Sequence, residues 1–170
     1  TSSTRTIAWS GDLPEAGGRL GSWVDSDEGW VSFWWVDASG GTRVPLLDDD
    51  CAGPLPLGFP FTFYGNTYNQ FYINSNGQVL FGAGSRAFAN VSIPQYGEPD
   101  NYIAPFWDDL NPAAGGAVHY QTFGVAPRRY TIVQWTGVPR FSSDESRLTF
   151  QVIICEDEQE IWLQYLEMRG

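Results

Sequence analysis

The sequence predicts an all-β fold: an antiparallel, jelly-roll-like β-sandwich of about ten strands with an extended N-terminal arm. Three observations carry this. Aromatic residues make up 16% of the 170 residues, and such side chains suit a pleated, half-buried surface. Glycine (19) and proline (11) recur at short intervals, which favours many short strands joined by turns over long helices. Leu148, Phe150, Val152 and Ile154 alternate with Thr149, Gln151 and Ile153, the period of two expected of a strand.

The first 22 residues are rich in Ser, Thr and Gly and hold one alternating piece, Arg5-Thr6-Ile7-Ala8-Trp9, in which Ile7 and Trp9 share a face. They read as an arm (1–22) ahead of a single sandwich domain (23–170). The arm either packs on its own sandwich or adds a strand to a neighbouring copy. Strands are expected at residues 29–38 and 42–47, joined by Ser39-Gly40-Gly41, and at 59–64. Phe71-Tyr72-Ile73 and Val79-Leu80-Phe81 flank Asn74-Ser75-Asn76-Gly77, and Asn-Gly readily takes the positive φ of a tight hairpin turn. Further strands fall at 102–107, 117–123 and 130–136, the last two separated by a turn at Gly124, Pro127 and Arg128. After 148–154, the acidic run 156–160 makes a turn, and Ile161, Leu163 and Tyr165 alternate in a returning strand.

A formal net charge of −11 opposes binding to nucleic acid and to anionic membrane surfaces, both of which need a cationic face. No run of eighteen apolar residues is present, so no membrane insertion is expected. Thr1 opens a polar segment with no leader pattern, which reads as either a mature end or the cut end of an excised domain. All nine basic residues are arginine, suited to bidentate grips on carboxylates, although codon bias gives the same composition. Cys51 and Cys155 form no metal-ligand or redox motif. Their expected pairing in one long-range disulfide would stabilise the fold by about 4–5 kcal/mol and indicate an oxidising compartment.

Acidic residues gather at Asp25/Asp27/Glu28, Asp48/Asp49/Asp50, Glu98/Asp100, Asp108/Asp109 and Glu156/Asp157/Glu158, mostly beside turn residues. Such turns supply the oxygen ligands that Ca2+ takes. Asp108, Asp109 and Asp48 to Asp50 are the foremost candidates, with Asp25 and Asp27 next; the plain alternative is a solvated acidic surface. Glycosidase chemistry on Asp108 and Asp109 beside Trp107 is disfavoured, because adjacent strand residues face opposite ways. His119, the single histidine, sits in a strand-like setting and reads as structural. Trp135 belongs to the core, whereas Trp34 and Trp35 take opposite faces of a strand and place one ring at an interface or a sugar-binding surface. Asn90-Val91-Ser92 fits a glycosylation sequon, a short pattern that also arises by chance.

One set of motifs is more specific in combination: residues 55–68 (LPLGFPFTFYGNTY), Phe71-Tyr72-Ile73-Asn74-Ser75-Asn76-Gly77 through Phe81-Gly82, Ile93-Pro94, residues 103–110 (IAPFWDDL) and Tyr130-Thr131-Ile132-Val133-Gln134-Trp135. With Val24-Asp25-Ser26-Asp27-Glu28 and the stretch from Gly40 to Asp50, this pattern resembles the nidogen-like β-sandwich module of bacterial secreted multidomain proteins. The resemblance covers roughly residues 20–167 and implies a secreted, extracellular, non-enzymatic module of matrix, adhesion or cell-surface proteins. The expected function is a structural or adhesive subunit that self-assembles by strand pairing, with Arg5, Ile7, Trp9, Trp34 and Trp35 at the contacts and Ca2+ as a stabilising ion. Expected partners are further copies of the chain in an oligomer or polymer through the arm, and other surface proteins or glycans. A carbohydrate-binding module is the runner-up reading.

Overall fold

The structure is a computed structural model that describes residues 4–10, 22–29, 31–93, 97, 99–143 and 145–169. The strands are β1 (Arg5–Ser10), β2 (Ser22–Asp25), β3 (Thr42–Val44), β4 (Cys51–Phe63), β5 (Asn66–Asn74) and β6 (Val79–Leu80). They continue with β7 (Tyr102–Ile103), β8 (Ala117–Phe123), β9 (Tyr130–Val138), β10 (Arg147–Cys155) and β11 (Ile161–Arg169). Among the described residues one 3-10 turn, Ser26–Glu28, follows β2. Two sheets result, one of seven strands in the order β2-β1-β11-β10-β9-β8-β3 and one of four, β4-β5-β6-β7. All pairings are antiparallel.

The core lies between the sheets. Leu57, Phe59, Phe61 and Phe63 alternate along the second half of β4, and Phe71 and Ile73 join them from β5. Val133 and Trp135 of β9 and Phe150, Val152 and Ile154 of β10 face them. Trp135 and Phe150 are paired in register and stack with ring centroids 5.0 Å apart. Each such fully buried side chain contributes about 1.5–3 kcal/mol relative to exposure, so this alternating pattern fixes which face of each strand turns inward.

The outer face of the large sheet carries a transverse polar row. In register across five strands stand His119 (β8), Gln134 (β9), Gln151 (β10), Gln164 (β11) and Thr6 (β1). Residues 31–38, expected as a strand, form instead an irregular strap over this face. The reason is local. Among the described residues the strap joins no strand ladder, and side-chain amides take its backbone groups: Gln134 Oε1 accepts the Ala38 N–H at 2.8 Å and Gln164 Nε2 donates to the Trp34 carbonyl. Val36, Ala38, Ile132, Ile153, Cys155 and Trp162 pack around it as a second apolar cluster.

Other boundaries also moved. The strand expected at 59–64 begins earlier, at Cys51, while those at 42–47 and 102–107 shrink to Thr42–Val44 and Tyr102–Ile103. The expected Cys51–Cys155 disulfide is not formed, and both thiols are free. Cys51 Sγ packs beside Gly84 and the Tyr72 ring, whereas its neighbour Ala52 faces the inter-sheet core. Cys155 follows core residue Ile154 and joins the strap cluster on the opposite outer side.

Candidate functional site

The site is organised by the tight turn between β5 and β6. Asn74, Ser75, Asn76 and Gln78 are fully buried, so each polar group in the turn needs a partner within the protein. Asn74 and Gln78 bind one another: Asn74 Nδ2 donates to Gln78 Oε1 at 2.6 Å, and the Gln78 N–H donates to Asn74 Oδ1 at 2.9 Å, while the buried Gln78 Nε2 has no hydrogen-bond partner among the described residues. Gly77 has φ +80°, and a Cβ there would collide with the Phe106 carbonyl. This combination of left-handed backbone and close approach admits only glycine without strain.

Two loops dock on the turn. Ser75 binds the first, its N–H donating to the Asp50 carbonyl at 2.8 Å and its hydroxyl accepting the Asp50 N–H at 3.0 Å. Asn76 spans both. Its side-chain amide donates to Asp49 Oδ1 at 3.0 Å, its side-chain carbonyl accepts the Leu110 N–H at 2.9 Å, and its backbone carbonyl accepts the Asp108 N–H at 3.3 Å.

The consequence is a convergence of Asp48, Asp49 and Asp109, whose carboxylate oxygens lie within 4.8 Å of one another. Desolvation raises the Asp109 carboxyl above its ordinary range, and the charges of Asp49, Asp48 and Asp108 add to the effect. Asp48 is likewise raised, by desolvation and then by Asp49. The charged forms repel, and a cation among them would relieve that repulsion. The donor set is all hard oxygen, which suits Ca2+ over softer metals. Three carboxylates, each mono- or bidentate, supply about three to six of the roughly six to eight oxygens that Ca2+ takes.

The other acidic candidates are engaged elsewhere. Asp108 Oδ2 lies 2.9 Å from Arg140 Nε. Asp50 accepts the Cys51 N–H at 2.9 Å and faces Arg86 at 3.3 Å. Asp25 and Asp27 belong to the Ser26–Glu28 turn, where Asp25 binds Arg5 and accepts the Asp27 N–H at 3.0 Å.

The arm residues are placed within the chain's own sheet. Arg5 and Ile7 stand in β1, with Ile7 opposite Leu163 of β11 and Asp25 of β2. The backbone of Trp9 pairs with Ile161 and Trp23, while the Trp9 side chain, residues 1–3 and 11–21, Trp30, Pro94 and Glu98 lie outside what is described. Trp34 is 40% exposed and meets Trp162 in a T-shaped contact with a 70° interplanar angle. Trp35 is half-buried and stacks on Phe33.

Two features escaped the sequence reading. Asn76 was legible as part of a turn but not as the link between two acidic loops. The glutamine row had a visible signal, polar Gln134 and Gln151 inside otherwise apolar runs, whose meaning required knowing that a strap crosses there.

Comparison with known proteins supports the same module. Nidogen of Drosophila melanogaster is 27% identical over 142 residues, 68% of this chain and 10% of that protein. Dendrite extension defective protein 1 of Caenorhabditis elegans is 36% identical over 72 residues, 42% of this chain and 6% of that protein. The chain thus spans a tenth or less of the length of these relatives. No solved structure matches the chain. The NIDO-related family model matches residues 29–170, and the chain belongs to that family.

Proposed function

We propose that this chain is a non-catalytic structural or adhesive module of an extracellular assembly, stabilised by Ca2+ and associating with further copies through strand pairing. Membership of the nidogen-like family supports the extracellular, structural part of the reading. The observation that carries the Ca2+ part is the convergence of Asp48, Asp49 and Asp109 on a fully buried turn. In this reading the ion joins the 48–50 and 108–110 loops, and Asn76 holds both at the right separation. The module then stiffens when exported into a Ca2+-rich medium, which suits a load-bearing or adhesive part.

Calorimetric titration of the metal-free full chain with Ca2+ tests this directly. Saturable binding that is lost in Asp109→Asn and in Asp48→Asn is the expected result. Absence of binding to the native protein overturns the Ca2+ part of the reading.

A further inference from the structure

β1, β2 and the Ser26–Glu28 turn stand apart from the rest of the fold. The family match begins at residue 29, after all three. In the sheet they form its outer end, where β1 pairs with β11 and β2 pairs with β1. Were they absent, β11 would be an open edge of nine residues. An open edge is a template for another strand.

The unit is tied together internally. Arg5 Nε donates to Asp25 Oδ2 at 2.9 Å and Oδ1 at 3.1 Å, and Ser26 Oγ accepts the Thr6 N–H at 3.1 Å. It therefore carries its buried carboxylate and that carboxylate's partner together. To β11 it is joined by the register from Arg5↔Tyr165 to Trp9↔Ile161 and by Gln164 Nε2 donating to Thr6 Oγ1 at 3.3 Å. Gly29 then leads into the strap with φ +77° and nothing within 4 Å of the position a Cβ would take. The chain can change direction there without a steric clash.

The other long edge is closed to strand addition. β4 carries Pro54, Pro56 and Pro60, which have no N–H to offer. Side chains occupy further backbone groups of this strand: Gln159 Oε1 accepts the Thr62 N–H at 2.8 Å, Arg129 Nη1 donates to the Gly58 carbonyl at 2.7 Å, and Thr131 Oγ1 donates to the Leu57 carbonyl at 2.6 Å.

We propose that β1 and β2 form an exchangeable unit, and that the β11 edge is a strand-acceptor site filled either by the chain's own β1 or by β1 of a second copy. Such exchange reuses contacts already optimised within one chain, so it is a low-cost route to an oligomer. The inference rests on the assembling reading above and names its surface.

Ile7 and Leu163 are opposite one another in the register, and they give the test. In a Cys51→Ser, Cys155→Ser background, full chain carrying Ile7→Cys is mixed at high concentration with full chain carrying Leu163→Cys and oxidised. A third chain carries both substitutions, and a fourth carries Val125→Cys, at a position 79% exposed, as a collision control. Exchange predicts a 7–163 disulfide between chains, identified by mass spectrometry of the linked peptides, at several-fold the yield of 7–125 links. No 7–163 link above that control overturns the proposal, whether or not the doubly substituted chain closes internally. Light scattering on the unmodified chain separates the two failures. An oligomer without the 7–163 link leaves the assembling reading standing, whereas a monomer at every concentration removes both.

Discussion

The side-chain carbonyl of Asn76 accepts the backbone N–H of Leu110 at 2.9 Å from a fully buried position. With the Asn76 amide on Asp49, this one side chain sets the spacing of the two acidic loops. Asn76→Ala leaves the buried Leu110 N–H without its partner, at a cost of about 1–3 kcal/mol. Urea unfolding measures that loss. The same variant is expected to bind Ca2+ more weakly, although it removes no carboxylate.

Gln134 does comparable work on the outer face. Its carbonyl accepts the Ala38 N–H, and its amide donates to Asp37 Oδ1 and Thr136 Oγ1, each at 2.9 Å. Gln134→Leu keeps the volume but orphans the buried Ala38 N–H, so a loss of about 1–3 kcal/mol is expected. Hydrogen exchange should quicken at Ala38 and its strap neighbours before the core strands respond.

The thiols give a chemical check. Burial pushes the Cys155 thiol up to about 12 and raises that of Cys51 as well, so little of either is the reactive thiolate at neutral pH. Titration with a thiol reagent under non-reducing conditions should react slowly with the native chain and reveal two thiols once it is unfolded. Zero thiols after unfolding would mean a disulfide that this structure does not contain.

The pH dependence has two components of opposite sign. The Arg5 guanidinium beside Asp25 holds its carboxyl below the usual carboxylate range, and Arg129 does the same to Glu156. A depressed carboxyl contributes stability that is present above its unfolded pKa and lost as pH falls through the folded value. The raised carboxyls of Asp48 and Asp109 act in reverse: their contribution is present below the unfolded pKa and lost as pH rises through the folded value. Asp25→Asn should therefore melt lower than the unsubstituted chain at neutral pH, with the difference shrinking in acid. Thermal melts from about pH 7 to about pH 3 check this.

Much of the fold was legible because sandwich strands advertise themselves by alternation. The period of two at 148–154 gave β10, and the turn at Gly124, Pro127 and Arg128 separated the stretches that form β8 and β9. The strap at 31–38 was misread as a strand because its apolar and aromatic residues satisfy the same composition rule, while its partners are side chains more than ninety positions away. The Cys51–Cys155 bridge failed for a related reason: pairing two cysteines by count ignores which face each occupies. The acidic candidates at 48–50 and 108–109 were named from turn composition alone. Asp48, Asp49 and Asp109 come together only because Ser75 and Asn76 draw in both loops, a relation across the chain that local spacing does not encode.

The thermal midpoint of the full chain in excess EDTA and in excess Ca2+, measured beside Asp109→Asn, tests the central claim most directly. At a hundredfold excess of Ca2+ over its dissociation constant, native-state binding is worth about 2.7 kcal/mol, or about 5–10 °C for a domain of this size. The unsubstituted chain should gain that increment. Asp109→Asn should lose it, and should melt above the unsubstituted chain in EDTA, because its substitution relieves the repulsion from Asp48 and Asp49. An unsubstituted chain whose midpoint is the same in EDTA and in Ca2+ would contradict the account.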